Sequence, residues 1–171
     1  MSIGTKILNK IVSLAQATGG QVEGNKDVTD EMKNLARAVA EEGVVMLKND
    51  GALPLSGNDV VAVFGRVQND WFYVGYGSGG DVKPPYKVNL IEGLENVGVK
   101  IDETLKKIYA DWSVKNVPYE GFWGHWPFHF DEMPLSDKVV DEAAKRANKA
   151  IVVIGRAAGE DREQKLEKGS F

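Results

Sequence analysis

The densest run of groups that could do chemistry lies near the end of the 171-residue chain. There Gly155-Arg156-Ala157-Ala158-Gly159-Glu160-Asp161-Arg162 follows the apolar stretch Ala150-Ile151-Val152-Val153-Ile154. It sets acids and bases on small, adaptable backbone just past the carboxyl end of an apolar strand, which is where open α/β sheets seat their ligands. On residue types alone, a charged loop of this kind is more commonly a solvated one. A second concentration is Phe122-Trp123-Gly124-His125-Trp126-Pro127-Phe128-His129-Phe130, five large aromatics in nine residues. Aromatic faces stack on the C–H faces of sugars and serve equally well to fold a loop back onto a core. Trp71, Phe72, Tyr73 and Tyr76 pose the same pair of alternatives.

Other patterns point away from familiar chemistries. Gly75-Tyr76-Gly77-Ser78-Gly79-Gly80 satisfies G-x-G-x-x-G, but a dinucleotide fingerprint must sit directly between a strand and a helix. Here the strand ends well before the glycines, and Asp81-Val82-Lys83-Pro84-Pro85 does not open a helix. The expected reading is a glycine loop of tight turns, with no cofactor. His125 and His129 are separated by Trp126-Pro127-Phe128; proline disfavours the helix that would face them together, so no metal site is expected. The chain has no cysteine, which removes disulfides and thiolate metal sites. Its net charge of −4 lacks the basic footprint of a nucleic-acid binder, and no apolar run approaches the ~20 residues that span a bilayer. Lys6 and Lys10 interrupt any signal-peptide core, so the expected location is cytoplasmic.

The elements that must position these groups follow from periodicity. Ile3, Ile7, Leu8, Ile11, Leu14 and Ala15 share a helix face over 3–17, stopped by Thr18-Gly19-Gly20. After a polar linker, a helix starts near Thr29 or Asp30 and ends at Gly43, with Met32, Leu35, Ala36 and Val39 as its stripe. Val44-Val45-Met46-Leu47 is a short apolar run before an Asn49-Asp50-Gly51 turn. Val60–Phe64 is apolar throughout, the pattern of a strand buried on both faces of a parallel sheet, and Ala150–Ile154 is a second fully apolar strand. Between them come a long loop over 65–86, a helix over 88–97, a short strand at 99–101, a helix over 103–115, an aromatic loop over 116–135 and a helix from Ser136 to about 148. Strands alternating with helices predict a three-layer α/β sandwich with a largely parallel sheet. The strand at 150–154 has no crossover helix or partner strand after it in the sequence. The fold is therefore expected to be truncated at the C-terminus, with an open sheet edge that pairs with a second copy.

Three segments, taken in order, resemble the α/β sandwich domain of family 3 glycoside hydrolases. LARAVAEEGVVMLKNDGALPL over 35–55 is similar to that family's helix-then-"LLKN…LPL" entry. VAVFGR leading through GYGSGG to NLIEGLEN, over 60–96, is similar to its strand, glycine loop and "EGL" helix. AIVVIGRAAGEDREQKLEKGSF over 150–171 resembles its strand and acid/base loop. The resemblance covers most of residues 30–171. It implies a fragment of a retaining, exo-acting enzyme cleaving terminal β-D-glucosides, β-glucosidase-like, with a β-glucoside or oligosaccharide as substrate. Retaining glycosidases need two carboxyl groups roughly 5–5.5 Å apart, one attacking the anomeric carbon and one acting as acid and then base. By position, Glu160 is the candidate acid/base, with Asp161, Arg162, Trp123 and Trp126 as candidate substrate contacts. The family's nucleophile belongs to a (β/α)8 barrel, which this sequence lacks. The expected organisation is an N-terminal helix and linker over 1–28 and an incomplete sandwich domain over 29–171, as in the permuted subgroup where the sandwich precedes the barrel. The alternative is a non-catalytic carbohydrate-binding or scaffold α/β module.

Overall fold

The central strand, β1 (Val60–Phe64), shows why an unbroken apolar run is required: Val61, Ala62 and Val63 are all buried although successive side chains point to opposite faces. The computed structural model describes residues 4, 6–7, 10–11, 28–73, 86–119, 127 and 129–156. Within it β1 lies between β2 (Lys100–Ile101) and β3 (Lys149–Val152), and both pairings are parallel. Val61 and Val63 pack with Ile101 of β2 and with Ile91 of the helix α2 (Leu90–Asn96). Ala62 packs on the other face with Leu105 and Tyr109 of α3 (Glu103–Lys115), Ala143 of α4 (Asp137–Arg146), and Met133. Helices thus cover both faces of a parallel sheet, the three-layer α/β sandwich expected from the sequence.

Local chemistry fixes the helix ends. α2 opens with a capping box: the Asn89 side chain accepts from Glu92 N–H (2.8 Å) while the Glu92 carboxylate accepts from Asn89 N–H (2.9 Å). The helix therefore begins two residues later than periodicity suggests. Ser136 caps α4, and α4 stops at Arg146 because Asn148 is engaged elsewhere. The Asn148 amide donates to Asp59 Oδ1 (2.8 Å) and its oxygen accepts from Val60 N–H (2.8 Å), pinning the start of β3 to the start of β1. Ser56 N–H, followed by this Asn148 amide, holds the Asp59 carboxyl below the usual carboxylate range. Residues 4, 6, 7, 10 and 11 are helical, within the stretch expected to form an N-terminal helix.

Apolar stretches outside β1 and its covering helices remain open among the described residues. The helix α1 (Asp30–Glu42), capped by Thr29 and stopped at Gly43, has no buried residue, and its Met32, Leu35 and Val39 stripe is more than half exposed. The Val44–Leu47 run is exposed coil, followed by a turn in which the Asn49 side chain accepts from Gly51 N–H and Leu53 N–H and donates to Leu53 O. The strand β3 is not covered on both faces like β1. It borders the sheet, and Val152 and Ile154 are 69% and 80% exposed among the described residues. Beside it Ala62, Phe64, Val140, Ala144, Ala147 and Ala150 line an open apolar groove of about 230 Å³.

One ion pair ties the helices of the second face together. Asp102 follows β2, caps α3 by accepting from Thr104 and Leu105 N–H, and receives Arg146 Nε and Nη2 from the last turn of α4 (2.9–3.1 Å). Burial pushes the Asp102 carboxyl up, but the Arg146 hydrogen bonds and charge outweigh it and hold the group below its ordinary value. A carboxyl that titrates lower folded than unfolded stabilises the fold above its unfolded pKa of about 3.9, and that stability is lost as pH falls through the folded value. Asp102→Asn keeps a good cap but removes the charge, leaving Arg146 without its partner. It is expected to lower stability by about 1–3 kcal/mol near neutral pH and to flatten the acid limb of the stability profile. Urea unfolding from pH 7 down to pH 3 measures both effects.

Candidate functional site

At the carboxyl end of β1 the chain does not pass straight into a surface loop. Gly65, Arg66, Val67 and Gln68 are all buried, and the last three form a short 3-10 turn in a stretch whose composition suggests only loop. Gly65 has φ +104, and a Cβ there would lie 2.2 Å from the Val153 carbonyl, so only glycine lets β1 and the end of β3 approach so closely. Its N–H donates to the Tyr109 hydroxyl (3.0 Å), which carries the turn onto α3. Burial, together with the nearby Glu132 carboxylate, pushes the Tyr109 phenol above its ordinary value against the opposing effect of that N–H. Gln68 is fully buried, and its amide closes the turn by donating to the carbonyls of Val63 (3.1 Å) and Gly65 (2.9 Å).

Arg66 is the most constrained charge in this region, 3% exposed. Its Nε donates to Asp70 (2.8 Å), Nη1 to the Asp131 carbonyl (2.9 Å) and Nη2 to the Asn116 carbonyl, while its backbone N–H donates to the Glu132 carboxylate (2.7 Å). The guanidinium lies over Trp112 (4.8 Å) and near Phe130 (5.7 Å), and Phe130 in turn meets Phe72 at 4.9 Å. Within the two aromatic loops, Phe72 and Phe130 therefore pack inward. Trp71 and Tyr73 keep 38% exposure, with Lys87 lying over the Tyr73 ring (4.9 Å).

The exit of β3 is seated on the same turn. Val153 N–H still donates to Phe64 O (2.8 Å), one residue beyond the strand proper. A Cβ at Gly155 would fall 2.2–2.8 Å from three side-chain carbons of the buried Val67. Residues 153–155 thus leave the sheet from a fixed point at the carboxyl ends of β1 and β3. Glu160, Asp161, Arg162, Trp123 and Trp126 themselves lie outside the described residues, as do the glycine run 75–80 and His125; His129 is exposed. Sequence reasoning missed Arg66, Gln68, Tyr109 and Glu132. The available signal was an arginine directly after an apolar strand and a glycine, a place where a solvated arginine has little reason to be.

Residues 44–169 match the glycosyl hydrolase family 3 C-terminal domain. The β-glucosidase of Ruminococcus albus is 41% identical over 145 residues, covering 83% of this chain and 15% of that protein; β-glucosidase A of Butyrivibrio fibrisolvens is 34% identical over 149 residues, covering 84% and 17%. Among solved structures, a β-glucosidase from Paenibacillus barengoltzii superimposes with a TM-score of 0.79 at 39% identity, covering 84% of this chain and 16% of that one. β-Glucosidase 3B from Thermotoga neapolitana, in complex with glucose, gives 0.73 at 36%, covering 82% and 20%. The chain belongs to the glycosyl hydrolase family 3 C-terminal domain family, and it spans about a sixth of the length of the curated relatives named here.

The contact between Gly155 and Val67 is testable. Gly155→Ala forces a methyl group into a buried valine and is expected to cost about 1–3 kcal/mol. Val67→Ala in the same chain makes room, so the double variant should be more stable than the sum of the two single losses by about 0.5 kcal/mol or more. Urea unfolding of the four chains gives the coupling. Additive losses would mean that the two residues do not touch.

Proposed function

We propose that this chain supplies the acid/base loop of a retaining, exo-acting glycosidase that cleaves terminal β-D-glucosides. Glu160 protonates the leaving oxygen and then activates water. Asp161 and Arg162 orient the loop and the sugar, and Trp123 and Trp126 stack on it. The nucleophile comes from a (β/α)8 barrel domain of the same enzyme, with residues 1–28 of this chain as a helix and linker. The observation that supports the reading is family membership combined with the seat of Gly155 on Val67, which fixes where the chain leaves the carboxyl end of the sheet.

The test has two arms. The 171-residue chain alone is expected to leave an aryl β-glucoside intact, because one carboxyl group cannot form the glycosyl-enzyme intermediate. Grafted in place of the matching segment of the Ruminococcus albus enzyme, it should support turnover. Glu160→Gln in that graft should then slow substrates with poor leaving groups by about 10²-fold or more, slow activated aryl glucosides less at the first step, and respond to added azide. An equal loss on all substrates without azide rescue would reject Glu160 as the acid/base. Rescue of Glu163→Gln or Glu167→Gln instead would move the assignment within the loop.

A second proposal concerns association. The β3 edge, with Val152 and Ile154 exposed beside an apolar groove, is a surface that strands and apolar patches of another copy would cover. Sedimentation of the 171-residue chain should show concentration-dependent dimers, weakened by Val152→Lys. A monomer at all concentrations would dispose of the idea.

A further inference from the structure

We infer that Arg66 is a positioning residue, a clasp that closes the base of the aromatic loop and joins it to the turn on which β3 exits. Two nitrogens of one guanidinium grip the two stems of that loop: Nη2 donates to the carbonyl of Asn116, where α3 ends, and Nη1 to the carbonyl of Asp131, where the chain returns to the core. Trp123 and Trp126 lie between these stems in sequence. The separation of the stems is therefore set by the width of a planar fork, a rigidity that arginine has and lysine lacks. The remaining nitrogen, Nε, holds Asp70 at the start of the glycine loop, and the Arg66 N–H holds Glu132. The neighbouring residues Gly65 and Val67 take the weight of Val153 and Gly155. Three loops at the carboxyl end of the sheet thus share one anchor.

Stability alone would not select this arrangement. Between Trp112 and Phe130 an apolar side chain of similar volume would fill the space without desolvating a charge. What the guanidinium adds is direction, since each donor fixes a different stretch of backbone. Its bearing on catalysis rests on the acid/base reading above; the clasp itself does not.

Hydrogen exchange on the full 171-residue chain tests it. In Arg66→Met, the amides of residues 129–133 and of Leu135 should exchange at least about tenfold faster, while α2 and β2 keep their rates. Arg66→Lys should fall between, because an ammonium keeps the charge but cannot span both stems. Equal acceleration in every element would show only a structural prop, and unchanged rates at 129–133 and Leu135 would remove the clasp; either result overturns the inference. If Arg66→Met does not fold, Asp70→Asn decides, with an expected rise of about threefold in the same segment and none elsewhere. No rise there rejects the proposal. The readout needs no substrate, so a failed Glu160 assignment leaves it standing and its own failure leaves Glu160 untouched.

Discussion

A guanidinium taken out of water must have its donors met, because each unmet one costs as much as a lost hydrogen bond and the charge costs more. Arg66 meets that demand with acceptors from three separate stretches of chain. The demand therefore dictates where those stretches lie. Asn116 must end α3 within reach, Asp131 must return beside it, and Asp70 must turn back toward the sheet. The buried turn that presents Arg66 rests on Gly65, which tolerates the approach of Val153, and on the Gln68 amide, which donates to the carbonyls of Val63 and Gly65. The candidate active region is built outward from this point rather than inward from the surface.

The rest of the sheet is held by different means. Asp59 and Asn148 pin the entries of β1 and β3, and Asp102 with Arg146 locks α3 to α4. These contacts are made by carboxylates, amides and caps, and none of them involves the 65–70 turn or the exit of β3. Rigid support at the amino ends and branching loops at the carboxyl ends is the division of labour that open parallel sheets use.

The three-layer architecture is legible in the sequence because an unbroken apolar run such as Val60–Phe64 fits little besides a strand covered on both faces. The helix over 103–115 is legible to the residue. The capping box from Asn89 to Glu92 is written just as plainly, but apolar periodicity alone overrides it and starts α2 two residues early. Burial is harder to read. Ala150–Ile154 has the composition of β1, yet composition cannot say whether a strand is central or at the edge, and Val152 is open. The Met32, Leu35 and Val39 stripe is likewise a real helix face that the described residues leave uncovered. The Arg66 clasp is illegible because its acceptors are mostly backbone carbonyls, which have no residue identity for a sequence to display.

Parallel pairing on both sides of β1 has a kinetic side as well. Val61 pairs with Ile101 on one side and with Lys149 on the other, partners some tens of residues away along the chain in each case. No hairpin offers a short route to either ladder, so each must close a long loop before any of its hydrogen bonds form, and the entropy of closure grows with loop length. The β3 contact closes the longer loop. The strand that launches the 160 region is thus the one whose docking waits on the largest part of the chain.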